Sequence, residues 1–148
     1  MAIWEWALEA YGLEGVPKAC LTLQDSHGQN TSLLLWAVWA EGPDAEALAK
    51  GVAAAKAWDA TVLVPIREVR RALKAPQPPV DDGAREALRE DVKACELRAE
   101  RVLMETLEAL AGGSSGGHGA LASLQAASAA WGKPAPDDAL AALAAALT

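Results

Sequence analysis

"SLLLWAVWA", residues 32–40, sets eight apolar side chains in a row behind one serine. Such a run suits a buried strand as well as a buried helix, because periodicity separates the two only when one face is polar. A strand needs a partner, and no other segment offers a convincing one. The run is therefore read as a helix over 31–41, the central element of an all-α bundle. Asn30 or Thr31 supplies the oxygen that caps its free N–H groups.

Upstream, residues 3–12 place Trp4, Ala7, Leu8 and Tyr11 at helical spacing, with Ile3, Trp6 and Ala10 as a second apolar row. A helix that is apolar over most of its girth is wedged between neighbours. Gly12 and Gly15 close it, and Pro17 suits the first turn of a helix over about 17–25 with Cys20 and Leu23 inward. Downstream, "EGPD" at 41–44 is a stop and a start, and a helix from 45 to about 59 carries Leu48, Val52, Ala55 and Trp58 on one face. "DATVLVPIREVRRALK" restarts a helix in which Pro65 belongs near the first turn. Its buried stripe is Val62, Ile66, Val69 and Leu73.

"APQPPVDD", 75–82, is a stiff spacer before a long helix reaching about Ala111. Leu88, Val92, Cys95, Ala99, Val102, Thr106 and Ala109 give that helix a 3.5-residue repeat, with Leu103, Leu107 and Leu110 widening it. Packing across the N-terminal helices is preferred to self-pairing, since the seam residues are small. "GGSSGGHG", 112–119, reads as a flexible linker; it lacks the Lys-Ser/Thr of a phosphate loop. Two short Ala-rich helices follow, near 120–131 and 137–147. Helices this short are marginal alone, so the expected organisation is a bundle domain at 1–111 with a loosely attached tail at 112–148.

The 148 residues carry a net charge of −7, 52% apolar and 22% charged side chains, no Phe and six Trp. That is a soluble globular composition with tryptophans as anchors. The acidic balance argues against nucleic acid or an anionic membrane as a general partner, and residues 33–40 are far too few to cross a bilayer. "MAIWEWALEA" lacks the basic start of a signal peptide. Cys20 and Cys95 read as buried free thiols in a reducing compartment, so a cytoplasmic location is expected. No zinc spacing is present and no cofactor is implied.

Together "WEWALEAYGLEGVPKACLTLQDSHGQNTSLLLWAVW" and "VPIREVRRALK" resemble a family of small, uncharacterised, mostly proteobacterial proteins. The resemblance falls on Trp4, Tyr11, Gly15, Val16, Cys20, Leu21, Leu23, Gln24, Asp25, Gly28, Leu34 and Leu35. It continues on Pro65, Ile66, Arg67, Arg70, Arg71 and Lys74, so it covers roughly 3–75. Glu14-Gly15-Val16 stands where the family pattern has Pro-Gly-Val, and Asn30 and Ser32 stand where it has a loop acid and an Asn. The resemblance implies a compact helical fold and no catalytic residue.

Two clusters qualify as candidate sites. Arg67, Arg70, Arg71 and Lys74 share one helical quadrant beside the buried stripe. They are either solvated or paired within the protein, or they form a recess for a carboxylate, a phosphate or an acidic partner segment, to which the guanidinium fork is suited. Asp25, His27 and Asn30 are the ordinary residues of helix ends and turns, and capping is the preferred reading over metal or acid–base chemistry. Gln24 and Asp25 close an apolar helix, and a partly buried carboxylate needs a partner. An ion pair from Asp25 to Arg67, Arg70 or Arg71 is expected, with a strongly destabilising Asp25→Ala.

The resulting functional expectation is a non-enzymatic bacterial binding or adaptor protein. It would contact an acidic partner or small anion through Arg67, Arg70, Arg71 and Lys74, with Gln24 and Asp25 beside them. The alternative is a small enzyme or ligand-binding protein with a Trp-lined pocket near Asp25 or His27. Self-association through the long helix is a third reading.

Overall fold

The computed structural model describes residues 1–111 and 117–148. Most of the segment read as a Gly/Ser linker, residues 112–116, lies outside the described residues. The chain is all-α: α1 (Ile3–Tyr11), α2 (Val16–His27), α3 (Thr31–Trp39), α4 (Ala45–Trp58), α5 (Val64–Ala72), α6 (Asp82–Ala111), α7 (Ala120–Trp131) and α8 (Asp137–Leu147). A π-helical turn, Asp59–Leu63, joins α4 to α5.

The apolar run of 32–40 is a helix at the centre, with every residue from Thr31 to Ala37 buried. Chain chemistry sets its entry. Gly28 adopts φ +62°, and the Gln29 N–H closes on the Leu23 carbonyl six residues back at 3.0 Å. This is a Schellman ending, which glycine permits without Cβ strain. The Asn30 side chain then accepts the Leu33 N–H at 2.9 Å and starts α3. Asn30 is therefore a cap, as its residue type suggests.

Trp36 is fully buried, and α4 passes over its ring at Gly51. A Cβ built there would lie 2.7 Å from Trp36 Cζ3 and 3.4 Å from Leu107 Cδ2. Gly51→Ala is therefore expected to cost about 1–2 kcal/mol, because overpacking against a pinned ring outweighs the helix-propensity gain of about 1 kcal/mol. Urea denaturation of the variant measures this, and a more stable variant would refute the close packing.

Backbone angles stay helical from Trp58 to Val64, so α4 and α5 form one continuous path. Pro65 brings no N–H and its ring crowds the preceding turn. The wider π turn accommodates that defect, and such turns recur at functional sites.

α6 turns inward Ala99 and the residues that widen the 3.5-residue stripe, and leaves most of the stripe itself outside. Ala99, Leu103, Met104, Leu107 and Ala111 are buried, whereas Leu88, Cys95 and Val102 are exposed. The inward face includes the acids Glu96 and Glu100, which a search for apolar residues passes over. Cys95 is thus a surface thiol, and Cys20 alone is buried.

The C-terminal helices are also firmly held rather than loosely attached. Leu124, Ala127, Leu140 and Leu143 belong to the central cluster, with α7 against α3 and α8 against α2. Trp131 Nε1 donates to the Gly28 carbonyl at 2.9 Å, and the Lys56 ammonium sits 5.4 Å from the same ring. The His118 N–H donates to the Glu41 carbonyl at 2.9 Å. Two helices marginal in isolation gain stability here by burying their apolar face.

Candidate functional site

The basic residues of α5 divide into two groups. Arg67 and Arg70 turn toward α6, where both meet Glu96. Arg70 Nε donates to its carboxylate at 2.8 Å, and Arg67 Nε stands 3.9 Å away. Side chains of all three are less than a quarter exposed. Arg67 Nη2 also donates to Gln24 Oε1 at 3.3 Å. Arg71 faces outward and donates to Asp25 Oδ1 at 3.2 Å, the two side chains being 57% and 41% exposed. Lys74 is exposed and makes no ion pair among the described residues.

The Asp25 pair is therefore present, but in a setting where such pairs contribute about 0–1 kcal/mol. Asp25→Ala should cost less than about 1 kcal/mol, a small effect in place of the large one expected from sequence.

Two further arginines hold the end of α5. Buried Arg85 donates to the Leu73 carbonyl at 2.6 Å, and Arg89 reaches the Arg70 carbonyl at 3.4 Å. Cations at the carboxyl end of a helix satisfy its free carbonyls and its dipole.

Behind the Arg67 side chain lies a polar recess. Its floor is buried: Gln29, Asn30, Thr31 and Ser32, from the α2–α3 turn and the start of α3, with Leu63 from the π turn. Its rim is half-buried: Gln24, Asp59, Arg67 and Glu100, from α2, the π turn, α5 and α6. The enclosed space is about 10 Å³. Among the described residues no tryptophan lines it.

Two polar atoms in this lining are buried without a hydrogen-bond partner, the acceptor Gln29 Oε1 and the donor Arg67 Nε. The 3.9 Å from Arg67 Nε to Glu96 is too long for a hydrogen bond. Gln29 spends its amide N–H on the Lys133 carbonyl at 3.0 Å and is only 4% exposed. Orphaned buried groups of this kind cost about 1–3 kcal/mol each.

The electrostatics converge on Glu100. Burial, and then the neighbouring Glu96 charge, push its carboxyl up to about 7 against the opposing pull of Arg67 and Arg70. Burial also raises Asp59, with Arg67 opposing. On the inner side Tyr11 lies beside Cys20 and Thr31; burial raises the phenol and pushes the Cys20 thiol up to about 11. Both groups also feel the Glu100 charge.

Glu100 retains its proton more strongly in the folded protein than in the unfolded chain, so folding binds protons between about pH 4.5 and 7. Its contribution is present below about 4.5 and is lost as pH rises through about 7. We expect stability to fall by about 1–3 kcal/mol across that interval, and Glu100→Gln to flatten the fall. Urea unfolding at pH 4.5, 6 and 8 provides the comparison. Equal slopes in the two proteins would refute a buried acid.

Of the sequence-derived candidates, Gln24, Asn30 and Arg67 line the recess, Asn30 in its role as the α3 cap. Asp25, Arg71 and Lys74 lie on the outer face, and Arg70 serves Glu96. Asp59 is also an expected partner of the basic face, and it lines the recess with Arg67; Glu96, Glu100 and Gln29 were missed. The legible signal was the i, i+4 spacing of Glu96 and Glu100, in register with Leu103 and Leu107 on one helix face. No group of three or more metal-ligating side chains occurs among the described residues.

Fold and site define an all-α bundle built around an acid- and arginine-lined recess. The chain belongs to the family described as protein of unknown function (DUF2390), whose model matches residues 2–107. That span contains every recess residue and ends within α6. No curated protein and no solved structure matches the chain.

Proposed function

We propose that the chain is a non-enzymatic binding protein that receives a small polar ligand in the recess between Gln29, Asp59, Arg67 and Glu100. The observation that supports this reading is the pair of buried, unsatisfied atoms on two residues of the lining, an acceptor on Gln29 and a donor on Arg67. Orphaned buried polar atoms call for an explanation, and a bound partner supplies one. A raised carboxyl in the same rim is a second feature common to functional sites. A thermal-shift screen of small polar metabolites tests it. A ligand that raises the Tm of wild type but not of Arg67→Met fits the reading. A screen without a single Arg67-dependent shift counts against it.

A second reading has its own support. Arg71 and Lys74 lie exposed one turn apart, and Asp25 is a weak surface partner that an acidic segment could replace. In that case the chain is a bacterial cytoplasmic adaptor for an acidic partner or anion. Charge reversal at Arg71 and Lys74 would then abolish capture of a polyglutamate probe, whereas unchanged capture would dismiss this reading. No helix among the described residues is long and apolar enough to cross a membrane.

A further inference from the structure

Independently of the recess, we propose that the outer face of α6 is where two copies of the chain pair, antiparallel and centred on Cys95. The 3.5-residue repeat of this helix is the seam spacing of a two-helix coiled coil, yet the bundle leaves most of it uncovered. Leu88 and Val102 are each about half exposed, and Cys95 lies on the surface between them. The charges beside the stripe are equally unused. Glu86, Glu90, Arg101 and Glu105 pair along their own helix, as Asp82 does with Arg85. Asp91 and Arg98 are the two exposed charges of α6 that have no partner among the described residues.

One register serves both the apolar and the charged residues. Leu88 and Val102 each stand seven positions from Cys95, so an antiparallel copy centred there sets its Val102 opposite Leu88. Asp91 and Arg98 lie about 40° and 60° from the seam, on one side of it. A two-fold axis across the helices keeps that side common to both, so each Asp91 meets the second copy's Arg98 and the pair forms twice. A parallel copy would instead press this rim against the opposite side of its own α6, which α4 and α5 already cover. Leu88 lies about 20° to the other side of the seam. It therefore comes down at the mouth of an open apolar groove of about 260 Å³ between α4 and α6, where Ala54, Ala57, Trp58 and Thr106 flank Val102. Small residues at the centre of the seam allow close approach but bury little area, so a weak, micromolar dimer is expected.

Analytical ultracentrifugation of the full chain, from micromolar to millimolar concentration, tests the pairing. We expect the mass to rise toward twice the 15.4 kDa of one chain. Leu88→Asp, at an exposed position, should weaken the dimer about tenfold or more and leave the thermal transition of the dilute protein in place. Asp91→Arg brings like charges together twice and should weaken it about tenfold, whereas Asp91→Arg combined with Arg98→Asp should restore it. A short bismaleimide should join two wild-type chains and leave Cys95→Ser unlinked, because Cys20 is buried. A chain that stays monomeric at every concentration would overturn the proposal and leave the stripe to a different protein. A dimer indifferent to both Leu88→Asp and Asp91→Arg would place the contact on another face and overturn it as well. A dimer that Leu88→Asp weakens but the double charge exchange does not restore would overturn the antiparallel register.

Discussion

A chain cut after Ala111 is expected to lose its cooperative thermal transition entirely. The removed segment supplies Leu124, Ala127, Leu140 and Leu143, which are fully buried or nearly so. Each buried leucine is worth about 2–5 kcal/mol against alanine, while a domain of this size has only about 5–15 kcal/mol in total. Truncation also bares the surfaces beneath: α3 loses α7 and α2 loses α8, so the central apolar run would face water. Hydrogen bonds go with it, among them Trp131 to the Gly28 carbonyl and Gln29 to the Lys133 carbonyl. The floor of the recess therefore depends on residues beyond the family match, which ends at 107. Circular dichroism during heating decides the matter. A sharp transition near the wild-type Tm would mean that the tail is dispensable.

The second large effect is expected at Glu96. Its carboxylate is only 14% exposed and faces both Arg67 and Arg70. Glu96→Ala would leave two partly buried guanidinium groups without that counter-charge. Breaking a buried pair from one side costs about 3–5 kcal/mol; the partial exposure here brings the expectation to about 2–4. Part of the loss should return at alkaline pH, because Glu96 is a charge that disfavours ionisation of Glu100, and an ionised Glu100 can then face Arg67 and Arg70. Urea denaturation of Glu96→Ala beside Asp25→Ala gives the contrast. Equal losses in the two variants would contradict the division of α5 into an inward and an outward basic group.

The architecture was legible where local chemistry and burial agree. Asn30 and Asp44 are capping types at helix starts and do cap. The run at 32–40 is a helix because it has no strand to pair with. α6 was read less well. Its 3.5-residue stripe is a pattern of apolar identity, whereas the buried face is set by what the bundle presents to it, and opposite Arg67 and Arg70 it presents cations. Acids on that face are invisible to a hydrophobic pattern. The tail failed for a similar reason: alanines and a few leucines look thin one helix at a time, yet they fill the narrow space beside α2 and α3. Gln29 was hidden inside a turn whose polar residues all have ordinary turn roles, and only its burial sets it apart.

The recess depends on one carboxyl being drawn out of water among five other segments of the chain. A ¹³C-NMR titration of the Glu100 side-chain carboxyl from pH 3 to 9, with Glu100→Gln identifying the signal, measures that directly. The account requires a midpoint near 7. A midpoint at the ordinary glutamate value of about 4.3 would place the group in solvent and contradict it.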